Sequence, residues 1–348
     1  MVIILNPLSK TATQGDVAKA SGVSTATVSR VINQPDSVRI GVRQRVQTAI
    51  AELHYVADAA ARALASKRSR CIGAVIPTLA NAIFADGIEA FETRLNRASL
   101  SLMLTTSGYD SQHELTQVRT LIERGVDAIM LVGLNHDPLI YDLLQQRQIP
   151  YVLTWAYHSD CHHPCVGFNN YEAAKLIPLH LASLGHQQFA IISGISTGND
   201  RAFDRLKGME DALSAQGIAL AQDSIIECNY NIEAGRTACR QLLKLRCPPT
   251  AILCSNDVLA TGALLECQAS GIEVPSQVSI AGFDDLAISA NLTPSLTTMH
   301  IPFKLMGQRA AQYLIDQLEG AAPQSHQQLD VELRLRNSTA APKLSLLV

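Results

Sequence analysis

No stretch of the chain approaches the roughly 18 apolar residues that a membrane-spanning helix needs, and no long low-complexity tract interrupts it. Neither a P-loop nor a dinucleotide fingerprint is present. The one apolar run near the start, Val2-Ile3-Ile4-Leu5, has no basic residue ahead of it and meets Pro7 at once, so it does not read as a secretory signal. Charge is sparse at 17% against 47% hydrophobic residues, an ordinary balance for a soluble globular chain. Eight cysteines are scattered along the sequence, several within apolar runs such as Ala251–Cys254, which argues for reduced, packed thiols rather than a disulfide framework. A cytoplasmic protein with no membrane partner is therefore expected.

What is present divides unevenly. The 348 residues leave room for two or three domains. Residues 1–70 carry ten Lys/Arg against four acids, a net +6, while the remainder carries 18 against 27, a net −9. A basic head on an acidic body implies that only the head meets a polyanion. A solvated basic face would give the same count.

The head has its own pattern. Val17 and Ala18 give a short helix an apolar side, and Gly22 suits the turn that follows, where a positive φ is needed. Ser24 is a good N-cap for a second helix, in which Val28, Val31 and Ile32 recur at inward-facing spacing. Thr25, Ala26, Ser29, Arg30 and Asn33 are left outside. A third helix from about Arg43 buries Val46, Ala49, Ile50 and Leu53. Three short helices with a small-residue turn form a helix-turn-helix unit, whose second helix enters the major groove of DNA. Arg30 can offer a guanidinium to a base or phosphate, and the small groups at 25, 26 and 29 allow close approach. A generic three-helix core with no DNA role would also satisfy the spacing.

The run Asp16-Val17-Ala18 … Gly22-Val23-Ser24-Thr25-Ala26-Thr27-Val28-Ser29-Arg30-Val31-Ile32-Asn33 resembles the signature of the lactose-repressor (LacI/GalR) family of transcription regulators. The resemblance implies that Thr13, Ser24, Thr25, Ala26, Thr27, Ser29, Arg30 and Asn33 contact operator DNA. It further implies a hinge after the third helix. Residues 55–70 are similar to that hinge, with Ala61 and Leu64 in the DNA contact and Leu64 as the apolar wedge in the minor groove. The alanine run has high helix propensity and little to bury, so it would fold only when paired with its twin on DNA. Ala57 and Asp58 depart from the Pro and Asn usual there, and an acid near the DNA backbone is unfavourable.

From Cys71 apolar strands alternate with amphipathic helices. Expected strands are Ile72–Pro77, Leu100–Thr105, Ala128–Val132, Tyr151–Thr154, Phe189–Ser193, Ser224–Glu227, Ala251–Cys254 and Val278–Gly282, with helices such as Phe84–Ala98, Tyr171–Leu184, Arg205–Gln216 and Asp257–Ser270 between them. The fold expected is α/β: an all-α helix-turn-helix head (11–58), a hinge helix (59–70), then two doubly wound parallel-sheet lobes (71–340) that change over near residues 155–170. Ligands bind such lobes at the carboxyl ends of the strands, in the cleft between them.

The stretches Val278–Asp285 and Leu292–Thr298 are similar to the effector domain of the same family, itself like periplasmic sugar-binding proteins. By that resemblance Phe84, Arg205 and Asp257 line the effector pocket, and Trp155, Arg201 and Tyr230 fall on lining positions. Trp155, the only tryptophan, is read as either a stacking platform or a packed rim residue. Asp257 can also serve as the N-cap of the helix after it. Two arginines with few cleft-side acids indicate an anionic effector. Val166–Ala174 and Leu265–Gln268 resemble the gluconate-repressor branch, so a sugar acid such as gluconate is favoured.

Two motifs point elsewhere. Cys161-His162-His163-Pro164-Cys165 packs potential metal ligands together, but adjacent ligands in so short a run rarely close a tetrahedral site. Gly194-Ile195-Ser196-Thr197-Gly198 matches a nucleophile elbow, with Asp257 or Asp284 and His300 following in hydrolase order. That elbow needs a helix to begin at the serine, and here helical spacing resumes only near Phe203. No catalytic residue, metal or cofactor is expected. A periplasmic-type sugar-binding protein and a serine hydrolase are the alternatives, and neither explains residues 13–33. The family mechanism implies a homodimer on a two-fold operator, its DNA affinity set by effector. The short tail from Pro342 carries no leucine heptad, so a dimer rather than a tetramer is expected.

Overall fold

A computed structural model describes residues 11–57 and 68–343. Asp58, Ala61, Leu64 and most of the expected hinge helix lie outside the described residues. The chain divides into two compact units between Ser69 and Arg70.

The first unit holds three helices, α1 (Gln14–Ser21), α2 (Thr25–Asn33) and α3 (Ile40–Glu52). Thr13 and Asp16 cap α1 reciprocally: the Thr13 hydroxyl accepts the Asp16 N–H, and the Thr13 N–H donates to Asp16 Oδ2 at 2.8 Å. Gly22 ends the helix at φ 66°, so the turn takes the left-handed conformation that glycine allows. The Ser24 hydroxyl then accepts the Thr27 N–H and starts α2. Val17, Ala18, Val28, Val31, Val46 and Ala49 make the small core. The third helix begins three residues before the apolar stripe predicts, since its first turn is polar or exposed and leaves no periodic signal.

The second unit contains two six-stranded sheets. The first has the order β11-β5-β4-β3-β1-β2, from β1 (Cys71–Ile76), β2 (Ser101–Thr106), β3 (Ala128–Val132), β4 (Tyr151–Thr154), β5 (Cys165–Gly167) and β11 (His326–Gln328). The second has the order β12-β10-β9-β8-β6-β7, from β6 (Phe189–Gly194), β7 (Ile225–Cys228), β8 (Ala251–Cys254), β9 (Ser279–Asp284), β10 (Thr297–His300) and β12 (Glu332–Arg334). All pairings are parallel except β10 with β12. The central strands β3, β6, β8 and β9 are buried along their whole length, whereas the edges β2 and β7 are partly exposed. Helices on both faces of a parallel sheet produce that continuous burial.

The eight strands expected from the sequence are present, within two residues at their ends. The short strands β5, β11 and β12 carry too few residues for a period of two to show. The chain passes from the first lobe to the second after β5, returns between β10 and α11 (Phe303–Leu318), and crosses again between β11 and β12. Helix α11 packs on α4 (Ala82–Arg97) in the first lobe. The contact is close because two glycines meet: a Cβ on Gly307 would overlap the Gly87 carbonyl, and one on Gly87 would enter the Trp155 ring. Gly307→Ala is expected to destabilise the protein by about 1–3 kcal/mol, because backbone rather than a flexible side chain must yield. Urea unfolding of the variant reads this directly, and an unchanged midpoint would remove the close crossing from the account.

Candidate functional site

The cleft between the lobes is built from strand ends, where backbone polar groups and loop side chains converge. Its floor is lined by Asn81, Phe84 and Tyr109 of the first lobe and by Asn199, Arg201, Arg205, Tyr230, Asn256 and Asp284 of the second. The space left among them is about 20 Å³, room for little more than one water. A larger polar cavity of about 390 Å³ opens beside it, sharing Tyr109 and Arg201 and lined by Asp110, Glu114, His136, Asp137 and Asp200.

Arg205 organises the floor from α8 (Asp200–Ala215). Its Nε donates to Asn170 Oδ1 at 2.8 Å, and its Nη1 to the Ser255 carbonyl at 2.9 Å and to Asp284 Oδ1 at 3.4 Å. The guanidinium lies over the Phe283 ring, 4.1 Å from its centroid. Asp284 ends β9 with φ 115°, a strained conformation for a residue with a Cβ. Its second oxygen, Oδ2, is buried without a hydrogen-bond partner, as is Asn256 Nδ2. Two polar atoms thus stand unmatched by protein at the floor, an arrangement that costs stability unless a water or a ligand completes it. Burial pushes the Asp284 carboxyl up to about 8, against the opposing pull of Arg205.

Arg201 and Asp200 form a second feature. Arg201 Nη1 donates across the cleft to the Val132 carbonyl at 3.0 Å and to Asp200 Oδ1 at 2.8 Å. Asp200 Oδ2 accepts from the backbone N–H groups of Leu134 and Asn135 at 2.5 and 3.3 Å. Burial works to raise the Asp200 pKa, but Arg201, the Leu134 N–H and His136 outweigh it and hold it below the ordinary range. One residue pair at the start of α8 therefore latches the second lobe onto the loop after β3.

Phe84, Arg201, Arg205 and Tyr230 reach the floor; Asp257 and Trp155 do not. Asp257, expected to meet effector hydroxyls, is fully buried at the start of α10 (Asp257–Ala269). Its carboxylate accepts from Ser289 Oγ, Thr298 Oγ1 and the Leu286 N–H at 2.6, 2.6 and 2.8 Å, tying down the segment after β9. The N-cap of α10 is Asn256. Trp155 is also fully buried, at φ 62°, beneath Phe84 and beside Phe303, with ring centroids 5.4 and 6.3 Å away. It supports the floor rather than facing a ligand. The expectation of few cleft-side acids also fails, since Asp110, Glu114, Asp137, Asp200 and Asp284 all line the two cavities. Sequence reasoning named Asp284 only as a possible hydrolase acid and missed it at the floor, although it ends an apolar strand just as Asp257 follows one.

The other motifs resolve plainly. Helix α8 begins at Asp200, four residues after Ser196 and earlier than Phe203. Ser196 donates its N–H to Glu227 at 2.6 Å, while His300 pairs with Asp285 at 2.9 Å, so the hydrolase order is not brought together. Among the described residues no group of three or more His, Cys, Asp or Glu is placed to hold a metal, and no helix is long and apolar enough to cross a membrane.

In the first unit α2 exposes Thr25, Ala26, Arg30 and Asn33, with Ser24 exposed just before it. Thr27 and Ser29 are half-buried; the Thr27 hydroxyl shares a 3.0 Å hydrogen bond with Ser24, and Ser29 accepts from Asn33 Nδ2 at 3.2 Å. Gln14 Nε2 donates to the Thr25 carbonyl and fixes α1 against the start of α2. Thr13 is exposed at the N-cap of α1, its hydroxyl bonded to Asp16.

Residues 13–58 match the model for bacterial regulatory proteins of the lacI family, and residues 179–339 match a periplasmic binding protein-like domain. The HTH-type transcriptional repressor CytR of Escherichia coli K12 is 32% identical over 332 residues, 95% of this chain and 97% of that protein. The chain belongs to the LacI family. It is a DNA-binding, effector-controlled transcriptional repressor of that family. The regulator GntR of the same organism is 29% identical over 305 residues, 88% of this chain and 91% of that one, so the gluconate-repressor resemblance is not singled out within the LacI family. A crystal structure of the Lac repressor dimer bound to operator and the anti-inducer ONPF superimposes with a TM-score of 0.85 at 29% identity, covering 95% of this chain and all of that one.

Two outcomes follow from the cleft. Asp284 at about 8 and Asp257 at about 6, both raised by burial, keep protons in the folded protein that an unfolded chain releases near pH 4. Raised carboxyl values make stability fall as pH rises from about 4 to about 8. Asp284→Asn is expected to flatten the upper part of that slope in urea titrations at successive pH values, and an unaltered slope would assign it to other groups. Asp257→Ala leaves two hydroxyls and an N–H unpaired and is expected to cost about 1–3 kcal/mol, the range for leaving buried polar groups unsatisfied. Wild-type stability in that variant would return Asp257 to the ligand site.

Proposed function

We propose that the protein is a cytoplasmic homodimeric repressor that places Ser24, Thr25, Ala26, Ser29, Arg30 and Asn33 against a two-fold symmetric operator and releases or gains that grip when a sugar or sugar acid, such as gluconate, fills the cleft. Thr13 and Thr27 act beside them, Thr13 through the capped start of α1. In this reading residues 11–58 read DNA, 59–70 form the hinge, with Ala61 and Leu64 at the DNA, and 71–340 bind effector and dimerise. Exposed small groups next to one exposed arginine support the assignment of α2 to the groove.

The observation that carries the effector assignment is the pair of unmatched buried atoms, Asp284 Oδ2 and Asn256 Nδ2, beside Arg205. They present two unmatched polar atoms to one small polar molecule. Asp284, held up to about 8, leaves Arg205 as the uncompensated charge at neutral pH, which suits a carboxylate-bearing sugar acid. A neutral sugar would instead donate hydroxyls to the ionised Asp284. Calorimetry with gluconate and with neutral sugars across pH 6–8.5 separates the two. An anionic effector weakens as pH rises through about 8, and a neutral one does not. If no sugar or sugar acid binds at any pH, the effector class is wrong.

For the head, Arg30→Ala is expected to weaken binding to the protein's own operator by about 1–3 kcal/mol while leaving effector affinity unchanged. Mobility shifts on duplexes from the protein's own genomic neighbourhood measure this. Equal binding would remove Arg30 from the DNA contact.

A further inference from the structure

The loop from β4 to β5 contains chemistry that effector control does not use. Cys165 opens β5 and is fully buried in the core layer that includes Ile140 and Leu144, whereas Cys161 is only partly buried on the loop. Cys161 packs against the same apolar layer that holds Cys165, four residues away, and its thiol donates to the His163 carbonyl at 3.5 Å. The turn is held in this shape from several sides. The His163 ring stacks on Tyr141 with centroids 3.8 Å apart and planes 6° off parallel. Its Nδ1 lies 2.7 Å from the Tyr151 hydroxyl, and His326 Nε2 donates to the Cys161 carbonyl at 2.7 Å. Cys239 and Cys267 also approach, with sulfurs 3.8 Å apart, but both are fully buried between α9 (Ile232–Leu242) and α10, away from any solute. The pair at 161 and 165 joins a partly exposed cysteine to a buried one within a single loop.

The same loop begins at the effector floor. Trp155 supports Phe84, and its carbonyl accepts from Asn170 Nδ2 at 2.9 Å, the amide whose oxygen holds Arg205. Halfway along, His158 Nε2 lies 3.4 Å from Asp204 Oδ2 of the second lobe.

We propose that Cys161 and Cys165 form a reversible redox site at which hydrogen peroxide drives an intramolecular disulfide, and that its closure shifts the loop and moves Trp155 beneath the effector floor. The Cys161 thiolate attacks one peroxide oxygen, the O–O bond breaks, and the departing hydroxide takes the proton that the thiol gave up. The Cys165 sulfur then attacks the Cys161 sulfenic acid. The S–O bond breaks, and the hydroxyl leaves as water with the Cys165 proton. Two thiols and one peroxide give one disulfide and two waters, sulfur being oxidised and peroxide oxygen reduced. Burial first, and then Cys161 itself, push the Cys165 thiol up to about 12, so it keeps its proton until the second step. Cys161, the accessible sulfur, is the one that meets peroxide first.

The test uses the full chain, hydrogen peroxide and the chain's only tryptophan as reporter. Graded peroxide, then alkylation and mass spectrometry, should show the peptide holding both cysteines losing two hydrogens at doses that leave the buried Cys239 and Cys267 as thiols. Trp155 emission should shift in parallel, and dithiothreitol should reverse both changes. Cys161→Ser, at a half-buried loop position where folding is retained, should abolish both; its circular dichroism and unfolding midpoint confirm the fold. Failure of the disulfide to form overturns the proposal. So does a disulfide that leaves Trp155 emission unmoved, or an emission shift that survives in Cys161→Ser.

Discussion

The body of this repressor is arranged around one dehydrated cation. Arg205 is 4% exposed, so its charge is stabilised by what the fold supplies: an amide, a backbone carbonyl, a carboxyl oxygen and an aromatic face. Those partners come from the start of α7 (Asn170–Ser183), the end of β8 and the end of β9. A buried guanidinium left without them would be severely destabilising, so the cleft end of the second sheet keeps its shape because the cation demands it. Beside it Asp284 stands at φ 115° with one oxygen unmatched. A ligand that completes a floor already fixed in shape loses little to ordering it.

The carboxylates around the cleft divide the labour. Asp257 is satisfied within its own lobe and fastens the segment after β9. Asp200 is satisfied across the cleft by backbone of the first lobe. Asp284 keeps one buried oxygen without a protein partner. Under the proposed reading, an effector that bonds Asp284 acts on DNA only through its differential affinity for the arrangements of the lobes.

Much of this was legible beforehand. The strands announced themselves because parallel central strands are apolar throughout, and the head because caps, turn glycine and apolar spacing all agree over some twenty residues. The floor residues Phe84, Arg201, Arg205 and Tyr230 were reachable through family resemblance. What escaped was decided by partners rather than by residue type. Asp257 and Asp284 look alike in sequence, each at a strand end. Ser289 and Thr298 surround one with hydroxyls, while Arg205 and apolar burial surround the other. Nothing local to either residue carries that difference. The tryptophan was ambiguous for the same reason: Gly87 makes the space into which its ring sinks.

Three separate chain segments join the lobes, after β5, before α11 and between β11 and β12. A single tether would leave a lobe free to swivel, bend and slide. Three tethers side by side behave like the pins of a door, resisting translation and leaving rotation about one line as the soft motion. Molecules captured by such a jaw, whatever their shape, are converted into nearly the same angular displacement, so this architecture can exchange one ligand for another in evolution while its mechanical output stays the same.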